Sequence, residues 1–127
     1  MVRMSQPEFQ ASFFDLQPNG DVLVATISRK LLTEDENLEQ MSQELLSLID
    51  TFNCRKLVVS LERVTFVTSA ALGKLITLHR RLHRKDGRMV LAAANGGVAD
   101  VLKLSRLQDY FLMAIDVPSG ISQLQAT

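Results

Sequence analysis

Apolar positions along the chain alternate, run together or recur at helical spacing in separate stretches, and each pattern predicts an element. Residues 9–16 alternate, with Phe9, Ala11, Phe13 and Asp15 on one face and Phe14 and Leu16 on the other, which predicts a strand. Pro18-Asn19-Gly20-Asp21 follows, and Asn-Gly between apolar runs signals a tight hairpin. Val22 to Ile27 is the expected return strand. Ser28 to Leu32 leads on to Thr33, which with Glu36 three residues later has the form of a capping box; Glu34 and Asp35 add acids that suit the first turn of a helix. Leu38, Met41, Leu45, Leu48, Ile49 and Phe52 then make one apolar stripe, with Glu39, Ser42 and Ser47 opposite. That spacing predicts an amphipathic helix of about five turns lying on a sheet.

The stretch from residue 56 to residue 88 is the one the rest is organised around. Lys56-Leu57-Val58-Val59-Ser60-Leu61 is a short β-branched run of the kind buried on both faces of a sheet. Glu62-Arg63 interrupts it, Val64-Thr65-Phe66-Val67 resumes it, and from Leu72 the period becomes helical: Leu72, Leu75, Ile76, Leu78, Leu82. At the junction, Thr68 or Ser69 is placed to cap the helix, because a hydroxyl there accepts from the unpaired N–H groups of the first turn. Asp86-Gly87 predicts the helix end, with glycine in the left-handed conformation. Residues 89–94 read as the next buried strand, Asn95 as the cap of a short helix with Val98, Val101, Leu102, Leu104 and Leu107, residues 110–115 as a last strand, and Asp116-Val117-Pro118-Ser119 as the start of a terminal helix carrying Ile121 and Leu124.

Strands alternating with helices after an opening hairpin predict an α/β fold: a mixed, mostly parallel sheet of four or five strands, joined by right-handed crossovers, with helices packed on it. At 127 residues the expectation is one domain, with residues 1–7 a loose leader. Hydrophobic residues make up 46% and charged residues 22%, the balance of an ordinary globule. Fourteen basic and fourteen acidic side chains cancel, which argues against nucleic acid as a partner. Residues 1–50 carry nine of the acids and three of the bases, so the two ends of the chain differ in sign, a distribution that suits a charged protein partner. No segment has the apolar length of a membrane span, no signal peptide is visible, and the lone Cys54 reads as a small apolar filler. A cytoplasmic protein without a membrane contact is expected.

The candidate chemistry sits at the strand–helix junction. On residue type alone Ser69 reads as a helix cap. The end of a helix that carries free donors and a partial positive charge is also where a phosphate would be accommodated, adding roughly two negative charges and three acceptor oxygens. The whole segment, a buried strand, then Phe66-x-x-Ser69-x-x-Leu72-Gly73, then a helix, resembles the STAS domain of anti-sigma factor antagonists. Residues 87–91 and 101–107 resemble that family's later strand and helix. The resemblance implies a STAS-like fold, a phosphoacceptor at Ser69 with Thr68 as the fallback, and a partner-binding segment made of Thr68, Ser69, Ala70, Ala71, Leu72 and Gly73. Thr68 stands where the family usually has an acid, Ala70 where a second hydroxyl is common, and Ala71 where glycine is common. The partner implied is an anti-sigma factor that is a serine kinase of the ATPase type. The alternative is a STAS scaffold subunit of a larger signalling complex that is not phosphorylated.

Other chemistry has weaker footing. His79 and His83 stand four apart, the spacing for two metal ligands on a helix, but no third ligand is near in sequence, and no metal or cofactor is expected. Arg80, Arg81, Arg84 and Lys85 complement the helix dipole, and no aromatic is interleaved among them to stack on bases. Asn95-Gly96-Gly97 lacks the glycine and lysine of the phosphate-binding fingerprints. Ser60-Leu61-Glu62 offers a lone acid, and no nucleophile–histidine–acid set is evident, so no catalytic residue is expected and the chain reads as a non-enzyme.

Overall fold

The computed structural model describes residues 13–32 and 36–126. The start of the first expected strand at Phe9, the leader at residues 1–7 and the Thr33 cap lie outside the described residues. The chain opens with β1 (Phe14–Asn19) and β2 (Val22–Ile27), paired antiparallel with Asn19 opposite Val22. The hairpin stands as expected, but its two loop residues are Gly20-Asp21 rather than Asn-Gly: Asn19 is still in β1, and Gly20 takes the positive φ, +64°, at the first loop position. β1 runs through Pro18, which an edge strand tolerates.

After β3 (Leu31–Leu32) comes α1 (Glu36–Asp50), then β4 (Lys56–Ser60), β5 (Phe66–Val67), α2 (Ser69–Arg84), β6 (Arg88–Ala92), α3 (Gly96–Leu104), a single 3-10 turn at Leu107–Asp109, β7 (Leu112–Ala114) and α4 (Val117–Gln125). The main sheet has the order β1-β2-β4-β6-β7, antiparallel only between β1 and β2. The mixed, mostly parallel sheet opened by a hairpin is therefore present with five strands. A second, two-stranded parallel sheet pairs β3 with β5 and has no counterpart in the sequence reading.

Both faces of the sheet are covered, which is why its strands read as unbroken apolar runs. Leu57 and Val59 of β4, with Met89 and Leu91 of β6, meet Leu38, Met41, Leu45, Leu48 and Ile49 of α1 and Leu72, Leu75, Leu78 and Leu82 of α2. The alternate residues, Val58, Val90 and Ala92, face Leu124 of α4 on the other side. α4 comes close because Gly120 has no side chain; a Cβ there would lie 3.3 Å from Val90 Cγ1 and 3.4 Å from Val58 Cγ1. Asp116 caps α4 by accepting from the Ser119 amide at 2.9 Å. No helix among the described residues is long and apolar enough to cross a membrane.

Several side chains fall on the other side of the line from their expected places. Phe52 lies beyond the end of α1 and is exposed, whereas Ser42, assigned to the polar face, is buried. Leu104 and Ile115, expected in the core, are 85% exposed, because α3 ends at Leu104 and β7 ends at Ala114. At the end of α2 the left-handed residue is Asp86 (φ 61°), not Gly87. Gly87 is needed for room instead: a Cβ there would sit 2.6 Å from the Arg55 carbonyl oxygen. Cys54 is buried and free, and burial pushes its thiol up to about 11, as befits a filler rather than a nucleophile.

Candidate functional site

The site is assembled where the small sheet hands the chain to α2. β5 lies beside β3, and the Lys30 carbonyl accepts from the Thr65 amide at 2.7 Å, the Phe66 amide at 3.3 Å and the Thr65 hydroxyl at 3.1 Å. One step on, the Leu32 carbonyl accepts from the Thr68 amide at 3.0 Å and the Thr68 hydroxyl at 3.4 Å. The two residues of each short strand divide the work. Leu32 and Val67 point into the core, and their neighbours Leu31 and Phe66, paired across the small sheet, are 58% and 51% exposed. Exposure of two large apolar side chains side by side leaves an apolar rim next to the first turn of α2.

Thr68, not Ser69, caps α2. Its extended backbone (φ −98°, ψ 168°) turns its hydroxyl back to accept from the Ala71 amide at 3.2 Å. The same hydroxyl is within reach of the Leu32 carbonyl, so it is held on both sides. Ser69 becomes the first helical residue. Its side chain is exposed, and its hydroxyl makes no hydrogen bond among the described residues. The physical reason is one of phase: the chain leaves β5 at Val67, and the first residue with room for an extended conformation before the helix is Thr68.

The six residues expected to meet a partner do not all face outwards. Ser69 and Gly73 are exposed, and their spacing of four puts them on one face of α2. Thr68 and Ala70 are partly covered. Ala71 and Leu72 are buried in the core, at 1% and 6% exposure, which corrects their place among the contact side chains. They anchor the first turn from beneath, because the apolar stripe of α2 begins there. Gly73 has open space around it, with nothing among the described residues within 4 Å of where a Cβ would stand, so none of them requires glycine at that position.

The neighbouring loops are tied down. Ser60, fully buried, donates to Glu62 Oε1 at 3.1 Å, and the Glu62 amide faces the Ser60 hydroxyl at 3.5 Å. Asn95 occupies the cap position of α3 without a side-chain cap bond, contrary to expectation; its side-chain Nδ2 donates to the Glu62 carbonyl at 3.2 Å instead. The loop after β4 and the start of α3 are thus joined beside the site. Arg63, from the same loop, pairs with Asp15 of β1 at 3.2 Å. Among the described residues no three His, Cys, Asp or Glu side chains come together to hold a metal ion.

The apolar rim at Leu31 and Phe66 escaped the sequence reading. Its only signal is an alternation two residues long in each strand, too short to stand out from the core runs on either side.

A family model of the STAS domain matches residues 14–120. Among solved structures, an anti-sigma-factor antagonist (STAS) domain protein from Planctomyces limnophilus superposes with a TM-score of 0.79 at 18% identity, covering 88% of this chain and 97% of that one. The Bacillus cell-fate determinant SpoIIAA in its phosphorylated form superposes with a TM-score of 0.67 at 20% identity, covering 87% of this chain and 97% of that one. A chain from the stressosome, described as a signal integration and transduction hub, gives a TM-score of 0.66 at 20% identity over 88% of this chain and 96% of its own. The strand order seen here, the helix that begins at Thr68-Ser69 and the family match over residues 14–120 agree: this chain belongs to the STAS domain family.

Proposed function

We propose that the protein is an anti-sigma factor antagonist: a binding module, not an enzyme, that docks an anti-sigma serine kinase through the start of α2 and releases it when Ser69 is phosphorylated. The observation that carries this reading is the state of Ser69. It is the exposed first residue of a helix already capped by its neighbour, so its hydroxyl has no structural duty among the described residues and can be modified without unmaking the fold. Thr68, the fallback acceptor, is the poorer target, since its hydroxyl is engaged with both Leu32 and Ala71.

The physical logic requires only a local charge. A partner resting on Leu31, Phe66, Ser69 and Gly73 excludes water from the contact. Two negative charges placed there without a cation opposite cost several kcal/mol, and about 1.4 kcal/mol is tenfold in affinity. The phosphate itself is tolerated in the free protein, because the open end of α2 favours an anion. Gly73 fits the same reading, since its missing side chain lets a partner's backbone approach one turn along from Ser69.

A second reading rests on the likeness to a stressosome chain: the domain serves as a scaffold subunit that is not phosphorylated. Incubation with the anti-sigma kinase of its own pathway and ATP, followed by intact mass and fragment masses, separates the two. A gain of one phosphate on Ser69 supports the switch. An unchanged mass, with the kinase still bound, supports the scaffold.

A further inference from the structure

The connection between α3 and β7 is fastened to the rest of the molecule by rings. It leaves α3 at Ser105, turns through a left-handed Arg106 (φ 62°) and makes the single 3-10 turn before β7 begins at Leu112. The amides of Ser105, Arg106, Asp109, Tyr110 and Phe111 all donate to carbonyls between Val101 and Leu107, so none of these bonds reaches the sheet or α2. A segment with so few backbone ties to its surroundings opens at lower free energy than the sheet beside it.

His79 is what the segment packs on along α2. Its ring lies 4.9 Å from that of Tyr110 and meets Phe111 edge-on at 5.6 Å, and those two rings meet each other edge-on at 5.2 Å. Phe111 is buried and Tyr110 is exposed, so the cluster spans from core to surface. His79 Nδ1 is shut off from solvent and has no hydrogen-bond partner among the described residues. A neutral imidazole can leave that nitrogen as a bare lone pair, with its proton on Nε2. An imidazolium carries a proton on both nitrogens, so its Nδ1–H would be a buried, charge-bearing donor with nothing to receive it.

The charges around the ring oppose protonation as well. The His83 ring stacks on it at 6.4 Å. Arg80 and Arg84 line one hollow beside it together with Tyr110, and Arg88 of β6 lines a second; Asp86 is the one acid among the described residues lining either. Asp86 and the face of the Tyr110 ring, which attracts a cation, return only part of the cost. Burial first, and His83 second, therefore hold the imidazole below its ordinary 6.5.

We propose that His79 is an acid-sensitive latch on the α3–β7 connection: its neutral ring keeps Tyr110 and Phe111 packed against α2, and its protonation frees both rings to solvent. In the open form the imidazole takes its proton as a free histidine does, so opening and proton uptake favour each other. Each pH unit below the free value then raises the open population by up to about tenfold, until pH reaches the lowered value of the closed form. What the open form shows to solvent is the Phe111 ring, at the start of the edge strand β7.

Hydrogen exchange of the full chain, measured at about pH 7.5 and about pH 5.5, one unit either side of the free imidazole's value, tests the latch. Protection of residues 107–112, corrected for the intrinsic exchange rate, should fall at least about threefold relative to that of α1 as pH is lowered. The fall should persist in His83→Gln and be absent in His79→Gln, which keeps a neutral polar side chain. A second readout needs no variant to fold: NMR signals of the Tyr110 and Phe111 rings in the native protein should shift with the same midpoint as the His79 imidazole. A fall smaller than about threefold overturns the proposal, as does an equal fall in His79→Gln or ring signals that do not follow His79.

Discussion

Thr68 and Ser69 are adjacent hydroxyl residues with opposite fates, and the difference is geometric. Thr68 is held by Leu32 and Ala71; the Ser69 hydroxyl makes no hydrogen bond among the described residues. Thr68→Ala should therefore lower stability by about 1 kcal/mol, the usual loss for a helix cap, read as a reduced midpoint in urea unfolding. Ser69→Ala should leave that midpoint within about 0.5 kcal/mol, as for other exposed positions. Gly73→Ala separates fold from function in a second way. An exposed glycine inside a helix is unfavourable by about 1 kcal/mol relative to alanine, so the variant should unfold later while binding the kinase less well. His79 gives a pH effect whose sign is fixed. Burial first, and the nearby His83 charge second, hold its imidazole below the ordinary 6.5. The folded protein then binds this proton more weakly than the unfolded chain does. The contribution to stability is complete above pH 6.5 and is lost as pH falls through the lowered value. Urea midpoints measured on either side of that window should diverge in the native protein and converge in His79→Gln.

At the scale of elements, the long patterns were legible and the short ones were not. The stripe Leu38, Met41, Leu45, Leu48, Ile49 fixes α1, and the runs at 57–59 and 89–91 mark the central strands, because burial on one or both faces repeats often enough to be seen. β3 and β5 are two residues each, so the small sheet that presents Leu31 and Phe66 left no periodic trace. Element ends were misjudged for a related reason: Leu104 and Ile115 continue an apolar pattern past the point where the backbone turns away from the core. Gly87 shows that a correctly located stop can have the wrong cause. Its space is claimed by the Arg55 carbonyl, so Gly87→Ala should destabilise by about 2 kcal/mol, the range for forcing an extra carbon into a packed site, rather than by a mild turn penalty. The exposed pair makes a complementary prediction: Phe66→Ser should weaken kinase binding while leaving thermal unfolding nearly unchanged.

For the whole molecule, the sheet covered on both faces provides the frame, and α2 lies across one of those faces with Ser69 at its start. The family was legible from Phe66, Ser69, Leu72 and Gly73 in their setting between a buried strand and a helix, and the family match over residues 14–120 bears it out. In the proposed function, a charge at Ser69 decides whether a partner stays docked. A binding titration of the anti-sigma kinase against Ser69→Asp and Ser69→Ala tests that claim most directly. The account predicts native-like affinity for Ser69→Ala and at least about a tenfold loss for Ser69→Asp, equivalent to about 1.4 kcal/mol; equal affinities for the two variants would contradict it.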